Sequence, residues 1–495
     1  MKLGTLARAH KGAVLHGPED IDISGLSYDS RVAGRGHLFA ALHGARQDGL
    51  EFVKSAKRRG AVAVLSDRTP PVDVPWIETP NPRAALADLA AVFFGRPADH
   101  LKLAGITGTN GKTTTAFLID AALRHASRVT GLLGTVGTRI AGRPKGSSLT
   151  TPESLDLQHL LREMVDEGVT HATLEVSSHA LVQDRVRGLR FETAVFTNLT
   201  RDHLDFHGGF EPYFEAKKRL FVEHLHPSGI AIVNLDDEHG GRLAETLRGP
   251  RCRTFGFSPD AHYRPEDLEV SLHGVRFVCA TPDGPVQVRS PLVGLFNVSN
   301  LLGAIGASIA LGLTPTEAAS GVSSLEGVPG RMERVDAGQA FSVIVDYAHT
   351  DDALRNLLDT LRSLNPRRLI TVFGCGGDRD RSKRPLMGSV AAQRSDLVIA
   401  TSDNPRSEPP GGILEEIAQG FKNHTTPFKL IADRREAIDT ALRSALPGDL
   451  VVIAGKGHEG TQTIREKRLP FDDRLVAREI LKSLGSSHGG AHAHP

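Results

Sequence analysis

An α/β fold in three domains is predicted, on three observations. At 495 residues the chain is too long for one ordinary core, and length alone implies about three. Short apolar runs alternate with helical patterns twice over, in residues 98–330 and again in 331–485. A glycine-rich turn at residues 108–111 separates an apolar run from a helical pattern, the context of a phosphate-binding loop.

Residues 1–97 form the first segment and predict a small α/β domain. It holds strand-like runs such as 61–65 and an alanine-rich helix over 83–94, after a proline-rich loop at 69–82. Gly95-Arg96-Pro97 reads as a helix stop and linker. In the second segment, residues 101–106, 170–176, 193–199 and 230–234 read as buried strands of a mostly parallel sheet, with a helix opening at Lys112. Residues 264–289 change to strands separated by turns such as Pro282-Asp283-Gly284, an antiparallel addition. The third segment places strands at 342–346, 369–373, 397–401, 429–431 and 450–454, which predicts a doubly wound, Rossmann-like C-terminal domain. Residues 486–495 are small and polar, with His488, His492 and His494, and predict a disordered tail.

Bulk composition excludes several classes of function. Hydrophobic residues make up 40% and charged residues 24%, the balance of a globular protein. Lys plus Arg is 59 and Asp plus Glu is 58, so no global field draws nucleic acid or an anionic membrane. Cys252, Cys279 and Cys375 are odd in number, far apart and without zinc-site spacing, and they read as reduced thiols. No apolar run has the length of a secretory signal or a membrane span. These features predict a cytoplasmic protein without nucleic-acid or membrane partners; small-molecule substrates and a monomer are the accompanying expectations.

Thr107-Gly108-Thr109-Asn110-Gly111-Lys112-Thr113-Thr114 is the strongest local signal. Its glycines let backbone N–H groups approach phosphate, Lys112 would reach the β- and γ-phosphates, and the Thr113 hydroxyl would face Mg²⁺. The general pattern wants Gly where Ile106 stands, so only the Gly-Lys-Thr core and its context survive. The central domain is accordingly expected to be P-loop ATPase-like. Glu175 and His203 each follow a predicted strand, where open α/β sheets place ligand contacts. A lone carboxylate or histidine there is more often structural.

In order along the chain, Thr-Gly-Thr-Asn-Gly-Lys-Thr, Glu-Val-Ser-Ser-His from Glu175, and Asn198-Leu199-Thr200-Arg201-Asp202-His203 resemble signatures of the Mur ligases. Phe296-Asn297-Val298-Ser299-Asn300, Gly330-Arg331-Met332-Glu333 and Asp346-Tyr347-Ala348-His349 extend the resemblance over almost the whole chain. The resemblance implies domains for a UDP-substrate, for ATP and for an amino acid, with the third closing over the second. It implies that Gly108, Thr109, Asn110, Gly111, Lys112, Thr113 and Thr114 cradle ATP with Asn297, Asn300, Arg331 and Asp346. Thr113, Glu175 and His203 would serve Mg²⁺, and Lys217 would carry a carbon dioxide-derived carbamate that holds a second Mg²⁺. Lys218 is adjacent, which leaves the register open. Lys112, Lys217, His203 and His349 are the implied catalytic set, and of these His203 and His349 are candidate bases.

Within the family, motif details point to the type that adds the third peptide residue. Tyr28, Ser30, Ala45, Arg46 and Gln47 resemble its uridine-nucleotide contacts, and Thr150, Thr151, Ser177, Gln183 and Arg185 its muramoyl-peptide contacts. Asp403, Asn404, Pro405 and Arg406, with Arg379, Gly455 and Glu459, resemble the diaminopimelate-binding set. A guanidinium suits the distal carboxylate that distinguishes diaminopimelate from lysine; the bland alternative pairs Arg406 with Glu408. The implied reaction is ATP-dependent addition of meso-diaminopimelate to the D-glutamate γ-carboxylate of UDP-N-acetylmuramoyl-L-alanyl-D-glutamate, through an acyl phosphate, in peptidoglycan precursor synthesis. Two rival readings are a folylpolyglutamate synthase-like ligase and a P-loop switch that hydrolyses nucleotide without ligation.

Overall fold

The computed structural model describes residues 1–44, 47–146, 149–271 and 273–488, with side chains to residue 484. Ala45 and Arg46 of the expected uridine site lie outside the described residues. The first domain is a five-stranded sheet of β1 (Val14–His16), β2 (Gly25–Ser27), β3 (His37–Ala40), β4 (Ala63–Ser66) and β5 (Trp76–Glu78), ordered β1-β5-β4-β3-β2. Only β1 runs antiparallel. The alanine-rich helix Pro82–Phe93 covers it, and the Asn81 side chain caps that helix by accepting from the Ala84 amide.

Eight strands build the central sheet: β6 (Lys102–Thr107), β7 (Thr130–Gly134), β8 (Gly137–Ile140), β9 (Arg143–Lys145), β10 (His171–Glu175), β11 (Phe191–Phe196), β12 (Leu225–Asn234) and β13 (Cys252–Phe255). Their order is β13-β12-β11-β6-β10-β7-β8-β9, parallel from β13 to β7 and antiparallel through β8 and β9. Strand β6 therefore lies inside the sheet, between β10 and β11, and the 108–111 turn leaves its C-terminal end at a topological switch point. The antiparallel β14 (Arg264–Ser271), β15 (Gly274–Ala280) and β16 (Val286–Ser290) stand where turn residues predict them.

The third domain orders β17 (Glu333–Arg334), β18 (Ser342–Asp346), β19 (Leu369–Cys375), β20 (Leu397–Ser402), β21 (Phe428–Ile431) and β22 (Leu450–Ala454) as β17-β18-β22-β19-β20-β21. All but β17 are parallel, and β19 and β22 are buried throughout because helices cover both faces. A hairpin of β23 (Thr461–Ile464) and β24 (Lys467–Pro470) is added beyond the predicted strands. The last helix, Asp473–His488, runs three residues into the expected disordered tail. Its Val476, Ala477, Ile480 and Leu481 join the sheet's core, which carries the helix past the boundary that composition alone suggests.

Arg434 and Asp473 form an ion pair with no exposed side-chain surface, at 2.6 Å. Arg434 also donates to the Ser402 and Ala454 carbonyls, at 3.2 and 3.0 Å. It thus clamps the C-terminal ends of β20 and β22, from which the segments 403–406 and 455–459 depart. Arg434→Ala is expected to cost about 3–5 kcal/mol, because it strands a buried carboxylate. Differential scanning calorimetry checks this. Burial pushes His171 and His224 down to about 4, with Lys102 and Arg128 adding to the effect on His171. An unfolded imidazole binds its proton near pH ~6.5, so between that pH and about 4 the unfolded chain binds more protons. Stability is expected to fall as pH drops through this window, and His224→Gln to flatten the dependence of Tm on pH.

Candidate functional site

A cavity of about 520 Å³ opens above the C-terminal end of β6. Gly108 to Thr114 line it from the central domain; Asp346, Tyr347 and His349 line it from the third. Gly111 has φ +85°, and a Cβ there would sit 2.4 Å from Asn300 Oδ1. The Asn300 amide in turn donates to Asn297 Oδ1 at 3.1 Å, so this buried asparagine pair backs the loop. Lys112 donates to the Gly108 and Thr109 carbonyls, both at 2.8 Å.

Around the loop, charges converge. The Thr113 hydroxyl donates to Glu175 Oε2 at 3.0 Å, and the Thr135 amide to Glu175 Oε1 at 2.9 Å. Arg331 donates to Thr113 Oγ1 at 3.3 Å while its guanidinium lies 4.5 Å above the Tyr347 ring. Met332 and Ala348 amides bond both oxygens of Asp346, whose carboxyl burial raises against the pull of Arg331. Burial lowers the Lys112 ammonium, with Glu175 and Asp202 opposing and Arg331 adding to the shift.

Lys217 and Lys218 part company in the structure. Lys217 is 1% exposed, donates to the Gly108 carbonyl at 2.8 Å and lies 4.4 Å from the Tyr213 ring centroid. Lys218 lies outside and pairs with Glu215 at 3.0 Å. Burial, then the neighbouring Lys112 charge, drive Lys217 well below the ordinary lysine value. His203 has φ +53°, stands 3.3 Å from Asp202 and is pushed down to about 4 by burial. Burial and Lys383 also lower His349, whose Nδ1 lies 3.0 Å from the Tyr347 carbonyl. Asp202 stays ionised despite burial because His203, His349, Lys112 and Lys383 face it.

A second cavity, also about 520 Å³, continues on the other side of Asp202, His203 and His349. Arg379, Asp403, Asn404, Arg406, Gly455 and Glu459 line it together. Asn404 and Lys456 hold Glu459 Oε2, at 2.8 and 2.9 Å, and keep that carboxylate ionised despite burial. Arg406 sits at φ +52° and donates to the Gly377 carbonyl at 2.6 Å. Glu408 turns instead to Arg384, at 2.8 Å, which removes the Arg406–Glu408 pairing considered from sequence. Pro405 does not line the cavity; its carbonyl packs against Gly377 and shapes the turn.

From the nucleotide cavity a polar chain runs toward the first domain. Thr150 lies 3.0 Å from Thr135, and Thr151 donates to the Glu175 carbonyl at 2.8 Å and accepts from the Ser177 amide at 3.1 Å. Arg185 donates to the Thr151 carbonyl and to Gln183, and pairs with Glu153 at 3.0 Å. Tyr28 reaches across from the first domain to Asp156 at 2.5 Å. Ser30 is buried in the first domain, and Gln47 lies there with its carbonyl accepting from the Gly44 amide. Neither is in hydrogen-bond contact with this chain of residues. Asp202, Tyr347 and Lys383 line the cavities without having been singled out from sequence. Asp202 and Tyr347 sit inside quoted motifs, but their roles depend on a neighbouring domain that no local pattern reveals.

A phosphate loop at a sheet switch point, facing opposed arginines and carboxylates on another domain, defines the ATP-dependent acid–amino-acid ligases. Family models agree: the Mur ligase catalytic domain matches residues 22–94, the Mur ligase middle domain 106–308, and the Mur ligase glutamate ligase domain 330–457. The chain is 50% identical over 467 residues to the UDP-N-acetylmuramoyl-L-alanyl-D-glutamate–2,6-diaminopimelate ligase of Solibacter usitatus, covering 94% of each. A solved structure of a ligase of that same name is 35% identical, with TM-score 0.68 over 98% of this chain and 99% of that one. The ADP complex of Mycobacterium tuberculosis folylpolyglutamate synthase shares the fold at 18% identity, with TM-score 0.64 over 75% of this chain and 91% of that one. The chain belongs to the Mur ligase family.

Gly111→Ala is expected to weaken ATP binding at least about tenfold, since the added carbon meets Asn300 on a left-handed backbone. Titration calorimetry with ATP checks it.

Proposed function

We propose that this enzyme uses ATP to join meso-diaminopimelate to the D-glutamate γ-carboxylate of UDP-N-acetylmuramoyl-L-alanyl-D-glutamate. The carrying observation is the second cavity, where Arg379 and Arg406 share a pocket with Asp403 and Glu459, and which has Asp202, His203 and His349 in common with the phosphate-loop cavity. Two guanidiniums answer a carboxylate, and two carboxylates answer an ammonium, which suits an amino acid charged at both ends. In a folate-like ligase the polar chain from Tyr28 through Arg185 to Thr151 would have no diphosphate-linked peptide to follow.

In this reading Lys112 and the loop amides hold the triphosphate, backed by Asn297 and Asn300, while Arg331 and Asp346 close the site. The acceptor carboxylate attacks the γ-phosphorus, ADP departs, and an acyl phosphate forms. The neutral diaminopimelate amine then attacks the acyl carbon, the C–O bond to phosphate breaks, and the proton lost by the nitrogen leaves with the phosphate. Lys112 spreads the developing charge, and closure keeps water from the acyl phosphate.

Mg²⁺ fits the donors present. Among the described residues no group of three or more His, Cys, Asp and Glu forms a metal cage. A threonine hydroxyl 3.0 Å from a carboxylate suits a phosphate-bound Mg²⁺, which takes few protein ligands. Thr113 and Glu175 would hold one ion, and His203, neutral above about pH 4, would serve with Lys217 at a second. When bound, the metal neutralises phosphate charge. A carbamate on Lys217 requires a neutral amine, which the buried environment favours. The amine nitrogen attacks carbon dioxide and releases a proton, leaving an N-carboxylate.

The three cysteines are free and buried, in keeping with a reducing cytoplasm. No helix among the described residues is long and apolar enough to cross a membrane.

A ligation assay with purified UDP-substrate, ATP and candidate amino acids tests the proposal, which fails if meso-diaminopimelate is not incorporated. Arg406→Ala is expected to raise the KM for diaminopimelate sharply and to erode a preference over lysine on the order of 10³-fold. The KM values for ATP and the UDP-substrate should move little. Lys217→Ala should lose most activity and regain part of it with added short carboxylates. Full activity in that variant would remove the carbamate from the mechanism.

A further inference from the structure

We infer that Arg384 and Glu408 set the spacing of Arg379 and Arg406 and so determine selectivity for the distal carboxylate, an inference that rests on the amino-acid reading above. Arg379 and Arg406 stand on separate segments, 376–379 after β19 and 405–408 after β20. Their like charges oppose each other, and burial together with Arg379 holds the Arg406 guanidinium below its ordinary value. Something must hold two repelling cations in one cavity.

Arg384 opens the helix Lys383–Arg394 and has no exposed surface. It donates to both Glu408 oxygens, at 2.9 and 2.8 Å, to Glu416 at 2.8 Å, and to the Gly376 carbonyl at 3.3 Å. Glu408 Oε1 also accepts from the Asp378 amide at 2.6 Å. Farther out, the Ser407 hydroxyl donates to Asp378 at 2.6 Å. The segment that carries Arg379 and the one that carries Arg406 are thus joined through one buried guanidinium, whose geometry is bidentate. Arg406 itself occupies a left-handed backbone conformation that a non-glycine residue keeps only where its surroundings determine it.

Neither Arg384 nor Glu408 lines the cavity, so both are positioning residues. Glu408→Gln removes the charge and half of the bidentate pairing at nearly constant volume. It is expected to raise the KM for meso-diaminopimelate about tenfold, with kcat and the KM values for ATP and UDP-substrate within about threefold. Arg384→Lys, which keeps charge but loses the fork, should act in the same direction. In an Arg406→Ala background Glu408→Gln should add less than about twofold, because both act through one contact. Ser407→Ala, at the exposed rim, removes no buried group and should raise the same KM by about twofold to fivefold with Tm unchanged. An unchanged KM for diaminopimelate, an equal rise in all three KM values, or full additivity with Arg406→Ala would overturn the inference. Failure of the wild-type enzyme to ligate diaminopimelate would instead overturn the functional reading on which it rests.

Discussion

The contact between Arg331 and Thr113 organises the molecule. Thr113 is the first hydroxyl of the phosphate-loop helix and already donates to Glu175 at the end of β10. Arg331 comes from the start of the third domain and reaches that hydroxyl while resting on Tyr347. One guanidinium therefore ties the third domain to the spot where phosphate charge would gather. Asp346 lies close enough to oppose its charge, and the Asp346 carboxylate is itself held by the amides of Met332 and Ala348. Other links across the same cleft are Asn110 to Asp352, at 3.2 Å, and Arg201 to Ser382, at 2.9 Å. They are polar and partly exposed, as suits an interface that opens and closes.

The electrostatics follow from that closure. Lys112, Lys217 and Arg331 surround a small space, with Glu175, Asp202 and Asp346 as nearby counter-charges. Cations gathered in a buried space are unfavourable by themselves and favour an added anion such as a polyphosphate. Burial, with the Lys112 charge beside it, drives Lys217 toward its neutral form. One arrangement thereby answers two chemical needs, attraction of phosphate and access to an uncharged amine.

Both parallel sheets aim their C-terminal ends at one cleft. Strands β6, β10 and β11 deliver the phosphate loop, Glu175 and the 198–203 segment. Strands β18, β19, β20 and β22 deliver Asp346, the 376–379 turn, Asp403 and Gly455. Each sheet presents its segments at the switch-point end, the geometry that open α/β sheets generally use for ligands. Arg434 and Arg384 then hold the third domain's segments in register from below.

Much of this was legible in the residues alone. Buried parallel strands are continuous apolar runs, so their positions at 101–106, 369–373 or 450–454 could be read directly. The Gly-Lys-Thr turn carries its chemistry in adjacent residues, and so does Asp403-Asn404-Pro405-Arg406. The hairpins β8–β9 and β23–β24 were not read, because their strands are three or four residues long and largely polar, with β9 and β24 fully exposed, and so lack an apolar signature. The final helix outran its prediction because its apolar stripe meets a core that lies elsewhere in the chain. Local pattern determined the fold class, the order of elements and the identity of the loop chemistry, since backbone preference and hydrophobic period act over a few residues. Tertiary structure alone decided that Lys217 rather than Lys218 faces the cavity, that Glu408 belongs to Arg384, and that Asp202 stands between the two pockets. Burial and ion pairing are properties of groups brought together from distant positions, and they exist only once the chain has closed on itself.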